Sequence, residues 1–63
     1  MVKVESTLIF AQDELRMGHR YYLYKSQEED ERGRPKIGGV YVLQTEIGRN
    51  PPQKLKLLLV EWE

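Results

Sequence analysis

Apolar and polar residues alternate along the first part of the chain. Between residues 2 and 10 the even positions are mostly apolar and the odd positions mostly polar. Alternation with a period of two is typical of a β-strand that buries one face. The pattern therefore predicts a first strand over Val2–Phe10.

Three later segments also have the length and composition of strands, and turn residues separate them. The first is rich in tyrosine, which is favoured on pleated surfaces. In the second, Gly38 and Gly39 predict a bulge or a close approach of two backbones. Pro51 and Pro52 cannot donate ladder hydrogen bonds, so the third strand of the chain should end before them and the fourth should begin after them. The predicted segments are Arg20–Ser26, Ile37–Ile47 and Lys54–Trp62.

The connection between the first two strands has two interpretations. Residues Ala11–Met17 are good helix formers, and Gly18 suits the position just after a helix end. A helix of seven residues is not stable without tertiary support, so an extended hairpin arm or an irregular turn is slightly favoured.

Short connections favour antiparallel neighbours, because parallel crossovers need a dozen or more residues. The sequence thus predicts an all-β fold with at most one short helical turn. We expect a small twisted antiparallel sheet of about four strands, with curling into a barrel as a variant. Residues 1–63 should form one small domain.

The last predicted strand alternates in two different phases. Leu55, Leu57 and Leu59 share one side, whereas Leu58, Val60 and Trp62 share the other. A strand with period two cannot place both sets in one single-sided core. We therefore expect a partner chain, most simply a second copy, to cover Leu58, Val60 and Trp62. The alternative is barrel closure or a bulge that swaps the faces internally.

Composition excludes several classes of protein. Ten Lys and Arg residues balance ten Asp and Glu residues, whereas nucleic-acid and anionic-membrane binders usually carry a basic excess. Without cysteine there is no disulfide framework and no Cys-ligated zinc site. No apolar run is long enough for a membrane span, and the first residues do not resemble a signal peptide. We expect a cytoplasmic protein with no membrane association, metal or cofactor.

A charged segment lies between the second and third predicted strands. The acidic run Glu28–Glu31 precedes three basic residues, Arg32, Arg34 and Lys36. Its spacing does not match a calcium-binding loop of the EF-hand type. We interpret Gln27–Pro35 as a solvated connection without a ligand.

Catalytic chemistry has little support in the sequence. His19 is the only histidine, and none of the serine or threonine residues lies in a nucleophile-elbow pattern. We predict no catalytic residues and no enzyme activity.

One basic and aromatic pattern supports an alternative function. Tyrosines beside basic groups on a sheet can stack the bases of single-stranded nucleic acid. The neutral net charge disfavours this interpretation. The residues concerned are Arg20, Tyr22, Tyr24, Arg32, Arg34 and Lys36.

The favoured hypothesis is a small non-enzymatic interaction protein. It would self-associate or bind a protein partner through its sheet, because apolar residues occupy both sides of its strands and no catalytic set is present. Single-stranded nucleic-acid binding is the alternative.

Overall fold

The computed structural model describes residues 2–61 as a four-stranded antiparallel sheet curled into a half-barrel, with one helical turn. The predicted all-β fold is confirmed. The elements are β1 (Lys3–Arg16), β2 (His19–Ser26), β3 (Val40–Leu43), α1 (Gln44–Ile47) and β4 (Lys54–Val60). The spatial order is β3-β2-β1-β4, so the two strands in the middle are the first two in sequence.

β1 and β2 form a long hairpin, which decides between the two interpretations of Ala11–Met17. Arg16 pairs with His19, so the turn consists of Met17 and Gly18. Both have positive φ, 50° and 79° respectively. Two consecutive positive φ values are those of a type I′ turn, whose twist matches that of the flanking strands. The segment is therefore a hairpin arm, as favoured, and the only helical turn of the described chain lies elsewhere.

A bulge changes the alternation of β1 half-way along its length. Phe10 pairs with Tyr24 and Gln12 with Leu23, so Ala11 has no opposite residue. Before the bulge, the even-numbered residues of β1 face the core. After it, the odd-numbered residues lie on that side of the sheet. The predicted alternation therefore describes β1 only as far as Phe10.

The third predicted strand is shorter than expected. Only Val40–Leu43 is extended, and the chain then turns into α1 at Gln44. At Gly39 an added Cβ would lie 2.9 Å from Cδ1 of Leu23, so the close neighbour there is a side chain and not a second backbone. The expected break at Pro51 and Pro52 is confirmed, because β4 begins only at Lys54.

The core lies on the concave face of the half-barrel and centres on Leu8, Tyr22 and Tyr24. The Phe10 ring meets both tyrosine rings edge-on, at centroid distances of 5.8 and 5.6 Å. Partly buried side chains complete the packing around this centre. They are Phe10, Val40, Val42, Ile47, Leu55 and Leu57.

The connection from β3 to β4 passes across the concave face and is bonded to the sheet. The Tyr22 hydroxyl donates to the carbonyl oxygen of Gly48 at 2.6 Å, and the Tyr24 hydroxyl donates to that of Pro52 at 2.8 Å. Burial raises the pKa of Tyr24, and the neighbouring Tyr22 adds to the effect. These bonds let two polar hydroxyls lie inside a small core without loss of hydrogen bonding.

The segment between β2 and β3 is largely exposed, as predicted, but it is bonded to β1 and to itself. β2 ends opposite Leu8, so within residues 2–61 no strand pairs with the β2-facing edge of β1 before that residue. The Glu28 carboxylate takes that place, accepting from the Thr7 N–H at 2.9 Å and from the Ser6 hydroxyl at 2.7 Å. These bonds lower the pKa of Glu28 below its ordinary value of 4.5, and the bond from Ser6 has the largest effect.

The rest of this segment folds back on itself as a tight turn. The Asp30 carboxylate accepts from the backbone N–H groups of Arg32 and Arg34, both at 2.9 Å. It also accepts from the Arg34 side chain, and together these bonds lower the pKa of Asp30. Asp30 and Arg34 thus join the acidic and basic halves of the segment, while Glu28 bonds to β1.

Candidate protein interface at the β4 edge

The outer edge of β4 is open. β4 pairs with β1 along its whole length, from Lys54 opposite Ile9 to Val60 opposite Lys3. Because β4 is the last strand in the spatial order, no strand among residues 2–61 pairs with its other edge. Such an edge offers a row of backbone groups to another chain.

Three consecutive apolar side chains at the end of β4 are about half exposed. Leu58 and Val60 are 50% and 51% exposed and share the convex face with Glu5 and Lys3, their cross-strand partners. Leu59 is 48% exposed and lies on the concave face, opposite Val4. We call Leu58, Leu59 and Val60 the β4 patch.

The pairing of β4 with β1 has no register shift, so the strand contains no bulge that swaps its faces. The sheet order also leaves the half-barrel unclosed at β4. The described part of β4 therefore shows neither barrel closure nor a bulge that swaps its faces, which were the two alternatives to a partner chain. Trp62, the third predicted interface residue, lies outside the described residues.

The backbone polar groups of β4 point alternately to β1 and to solvent. Phe10 N–H donates to the Gln53 carbonyl at 2.9 Å, and Glu61 N–H donates to the Val2 carbonyl at 2.8 Å. Both odd-numbered residues flanking β4 thus bond towards β1. Since orientation alternates along an antiparallel strand, the even positions 54, 56, 58 and 60 direct their N–H and C=O groups to the open edge.

Charges protect only one half of this edge. Lys54 and Lys56 occupy the first half of β4, and edge lysines commonly prevent unwanted strand pairing. The Lys56 ammonium lies 3.8 Å from the Glu5 carboxylate, which also lies 3.4 Å from that of Lys3. The β4 patch itself carries no charge, so the second half of the edge lacks this protection.

Sequence reasoning missed two members of the exposed apolar surface. Leu59 belongs by phase to the core set with Leu55 and Leu57, but it lies past the end of the core beside Val4. Val2 is 56% exposed, and its carbonyl is bonded to the backbone after β4. The alternation places both residues on the concave face, but the extent of the core along that face depends on tertiary structure.

The residues of the nucleic-acid alternative are not brought together. Tyr22 and Tyr24 are 2% and 0% exposed, so neither ring offers a face on which a base could stack. This corrects the expectation that they form an accessible surface. They turn towards the core because β2 is a central strand, whose concave face is covered by the 44–53 connection.

The basic residues of that alternative are also dispersed. Arg20 stands at the start of β2, with its guanidinium 3.8 Å from Asp13. Arg32, Arg34 and Lys36 follow the opposite end of β2, and the Arg34 guanidinium is 2.8 Å from Asp30. These positions do not line one groove.

A partly exposed aromatic cluster lies near the Met17–Gly18 turn. The Arg16 guanidinium lies 4.6 Å from the centre of the Tyr41 ring, which meets the Tyr21 ring edge-on at 6.4 Å. The Tyr41 hydroxyl donates to the Glu14 carboxylate at 3.3 Å. The charged groups of Arg16 and Glu14 thus both contact Tyr41, and the cluster lines a shallow depression of about 210 Å³.

One depression in the surface is open and polar. It has a volume of about 560 Å³ and lies between the first half of β1, Glu28 and the lysines at positions 3, 36 and 56. Its carboxylates are engaged by Ser6, Thr7 and lysine side chains. The described residues contain no group of three His, Cys, Asp or Glu side chains placed to hold a metal ion.

No family model matches the chain, and no similar protein is found among the curated proteins or the solved structures. Within residues 2–61, none of the helical segments could cross a membrane.

Proposed function

We propose that this protein is a small non-enzymatic interaction domain that binds protein through the open edge of its sheet. The observation that carries the proposal is the β4 patch, which combines half-exposed apolar side chains with outward backbone groups on an uncharged edge segment. Strand addition uses these two features together: main-chain hydrogen bonds supply affinity, and the alternate side chains supply specificity.

The exposed area of the chain supports this proposal. A folded monomer of 7.5 kDa is expected to expose about 4,250 Å² from the scaling of area with mass. This chain exposes 5238 Å², which is about 1,000 Å² more. This excess is shared between the β4 patch and the hairpin end, where Leu15 and Met17 are 68% and 97% exposed. It is of the order of the area, about 800 Å², that a standard interface covers on each partner.

The test compares two leucine substitutions that make the same chemical change. Leu58→Arg places a charge in the β4 patch, whereas Leu15→Arg places one on the hairpin arm, where Leu15 is 68% exposed. We expect Leu58→Arg to abolish association and Leu15→Arg to leave it unchanged. Light scattering measures self-association, and circular dichroism checks that each variant folds.

Binding of other chains is measured with peptides selected from a random display library against the wild-type protein. We expect extended apolar peptides whose affinity falls at least tenfold in Leu58→Arg and stays the same in Leu15→Arg. The proposal is overturned if the wild type is monomeric and no selected peptide depends on Leu58.

A further inference from the structure

We infer that the occupant of the β4 edge is a second copy of the chain, paired antiparallel about a two-fold axis at Leu58. This inference rests on the proposed function and specifies its partner and its geometry. The backbone satisfies the first requirement, because the even positions of β4 direct their polar groups outward. A two-fold axis always opposes even positions to even positions, so every outward group meets an outward group of the copy.

Side chains select the register. With the axis at Leu58, that residue lies opposite its own copy, Lys56 lies opposite the copy's Val60, and Leu57 lies opposite the copy's Leu59. The four apolar side chains on the convex face then form one cluster across the axis. On the concave face, Leu59 gains an apolar neighbour in place of solvent.

Neighbouring registers are less favourable. An axis at Leu57 opposes Leu58 to the copy's Lys56 and Val60 to the copy's Lys54, so each convex apolar residue meets a lysine. Axes nearer the start of β4 bring the lysines of the two copies together, and like charges directly opposite are destabilising. An axis at Leu59 reduces the paired strand to residues 58–60.

The exposed area leaves room for a dimer interface. The excess of about 1,000 Å² per chain includes the hairpin end as well as the β4 patch, and each subunit of a standard interface contributes about 800 Å². A chain of this size has little core of its own, and association is one of the few available sources of stability without disulfides.

Cysteine trapping tests the axis. The protein has no cysteine, so each variant contains a single thiol per chain. In the inferred dimer, Leu58→Cys brings two Cα atoms to about 5.5 Å, within the range of a disulfide. We expect it to cross-link under mild oxidation at least ten times faster than Leu57→Cys, Leu59→Cys or Lys54→Cys. Faster cross-linking at 57 or 59 would overturn the register.

A proline substitution tests the role of the backbone. Lys56→Pro removes an N–H that points to the open edge, which leaves the ladder with β1 intact. Lys56→Ala removes the same charge and keeps the N–H. We expect a folded monomer for Lys56→Pro and a dimer for Lys56→Ala. A dimer that persists in folded Lys56→Pro contradicts edge pairing, and if that variant does not fold, the cysteine rates still decide.

The outcomes separate the inference from the proposed function. A wild-type monomer at about 100 µM excludes a copy bound with micromolar affinity or tighter. If peptides that depend on Leu58 are nevertheless selected, the edge binds another protein and only the second copy is excluded. If they are not, both proposals fail.

Discussion

The hydroxyl of Tyr22 and the carbonyl of Gly48 are joined by a 2.6 Å hydrogen bond that connects the centre of the sheet to the end of α1. Tyr22→Phe removes the donor and leaves the carbonyl without it. We expect the free energy of unfolding to fall by about 1 kcal/mol, the usual net contribution of such a bond. Urea unfolding measures the change. Tyr21→Phe on the convex face is the control, with an expected change within about 0.5 kcal/mol.

The hairpin turn provides a stabilising substitution. Met17 has a φ of 50° and is 97% exposed, so it contributes backbone strain and little packing. Asparagine tolerates positive φ far better than other residues, and Asn-Gly is a preferred type I′ pair. We expect Met17→Asn to raise the free energy of unfolding by up to about 1 kcal/mol, and β-branched Met17→Val to lower it. Thermal melts that rank Val above Asn would contradict the turn assignment.

Gly39 and Gly38 form a matched pair. A Cβ at Gly39 would lie 2.9 Å from Cδ1 of the buried Leu23, whereas one at Gly38 would meet nothing within 4 Å. We expect Gly39→Ala to cost about 1 kcal/mol through overpacking and Gly38→Ala to be neutral or slightly stabilising. Adding Leu23→Ala to Gly39→Ala should remove the clash, so the two changes should be non-additive in a double-mutant cycle.

The Glu28 carboxylate makes stability depend on pH. Its pKa is lower in the folded chain than the ordinary value of 4.5, so the ionised form is bound more strongly by the folded state. This stabilisation is fully present above pH 4.5 and is lost as the pH falls through the folded pKa. We expect Glu28→Gln to be less stable than the wild type at neutral pH, with the difference closing below pH 4.5.

Urea unfolding between pH 7 and pH 3 measures that difference. Glu31→Gln removes a charge from the same segment without touching β1 and serves as the control. A constant difference between wild type and Glu28→Gln across the whole range would show that the carboxylate is not what holds the segment.

Alternation in the first segment, strand-like composition in the other three and short connections between them were sufficient to predict four antiparallel strands. Alternation was insufficient after Phe10, since a single unpaired residue at Ala11 exchanges the two faces and nothing in the local sequence marks it. It was also insufficient at Gln44–Ile47, where spacing suits a strand and a helical turn equally. The hydrogen bond from Tyr22 to Gly48 is a tertiary contact that fixes the end of the helical turn.

The two phases of the last strand correctly placed Leu58 and Val60 on the face opposite Leu55 and Leu57. Whether a partner covers them stays a prediction. Tyrosine spacing in β2 was equally regular but gave no indication that Tyr22 and Tyr24 face inward. That direction follows from which side of the sheet the 44–53 connection crosses, a property of the whole chain.

The position of β4 beside β1 has a kinetic consequence. The paired residues of β1 and β4 lie between 45 and 57 positions apart along the chain, whereas β1 and β2 are joined by a two-residue turn. Local hairpins form in microseconds, and distant pairing waits for the closure of a long loop. We expect Leu55→Ala to accelerate unfolding with little effect on the folding rate, and Met17→Val in the β1–β2 turn to slow folding. If stopped-flow kinetics agree, β4 is the strand that docks last and departs first, and dimerisation along its edge would lengthen the lifetime of the native state.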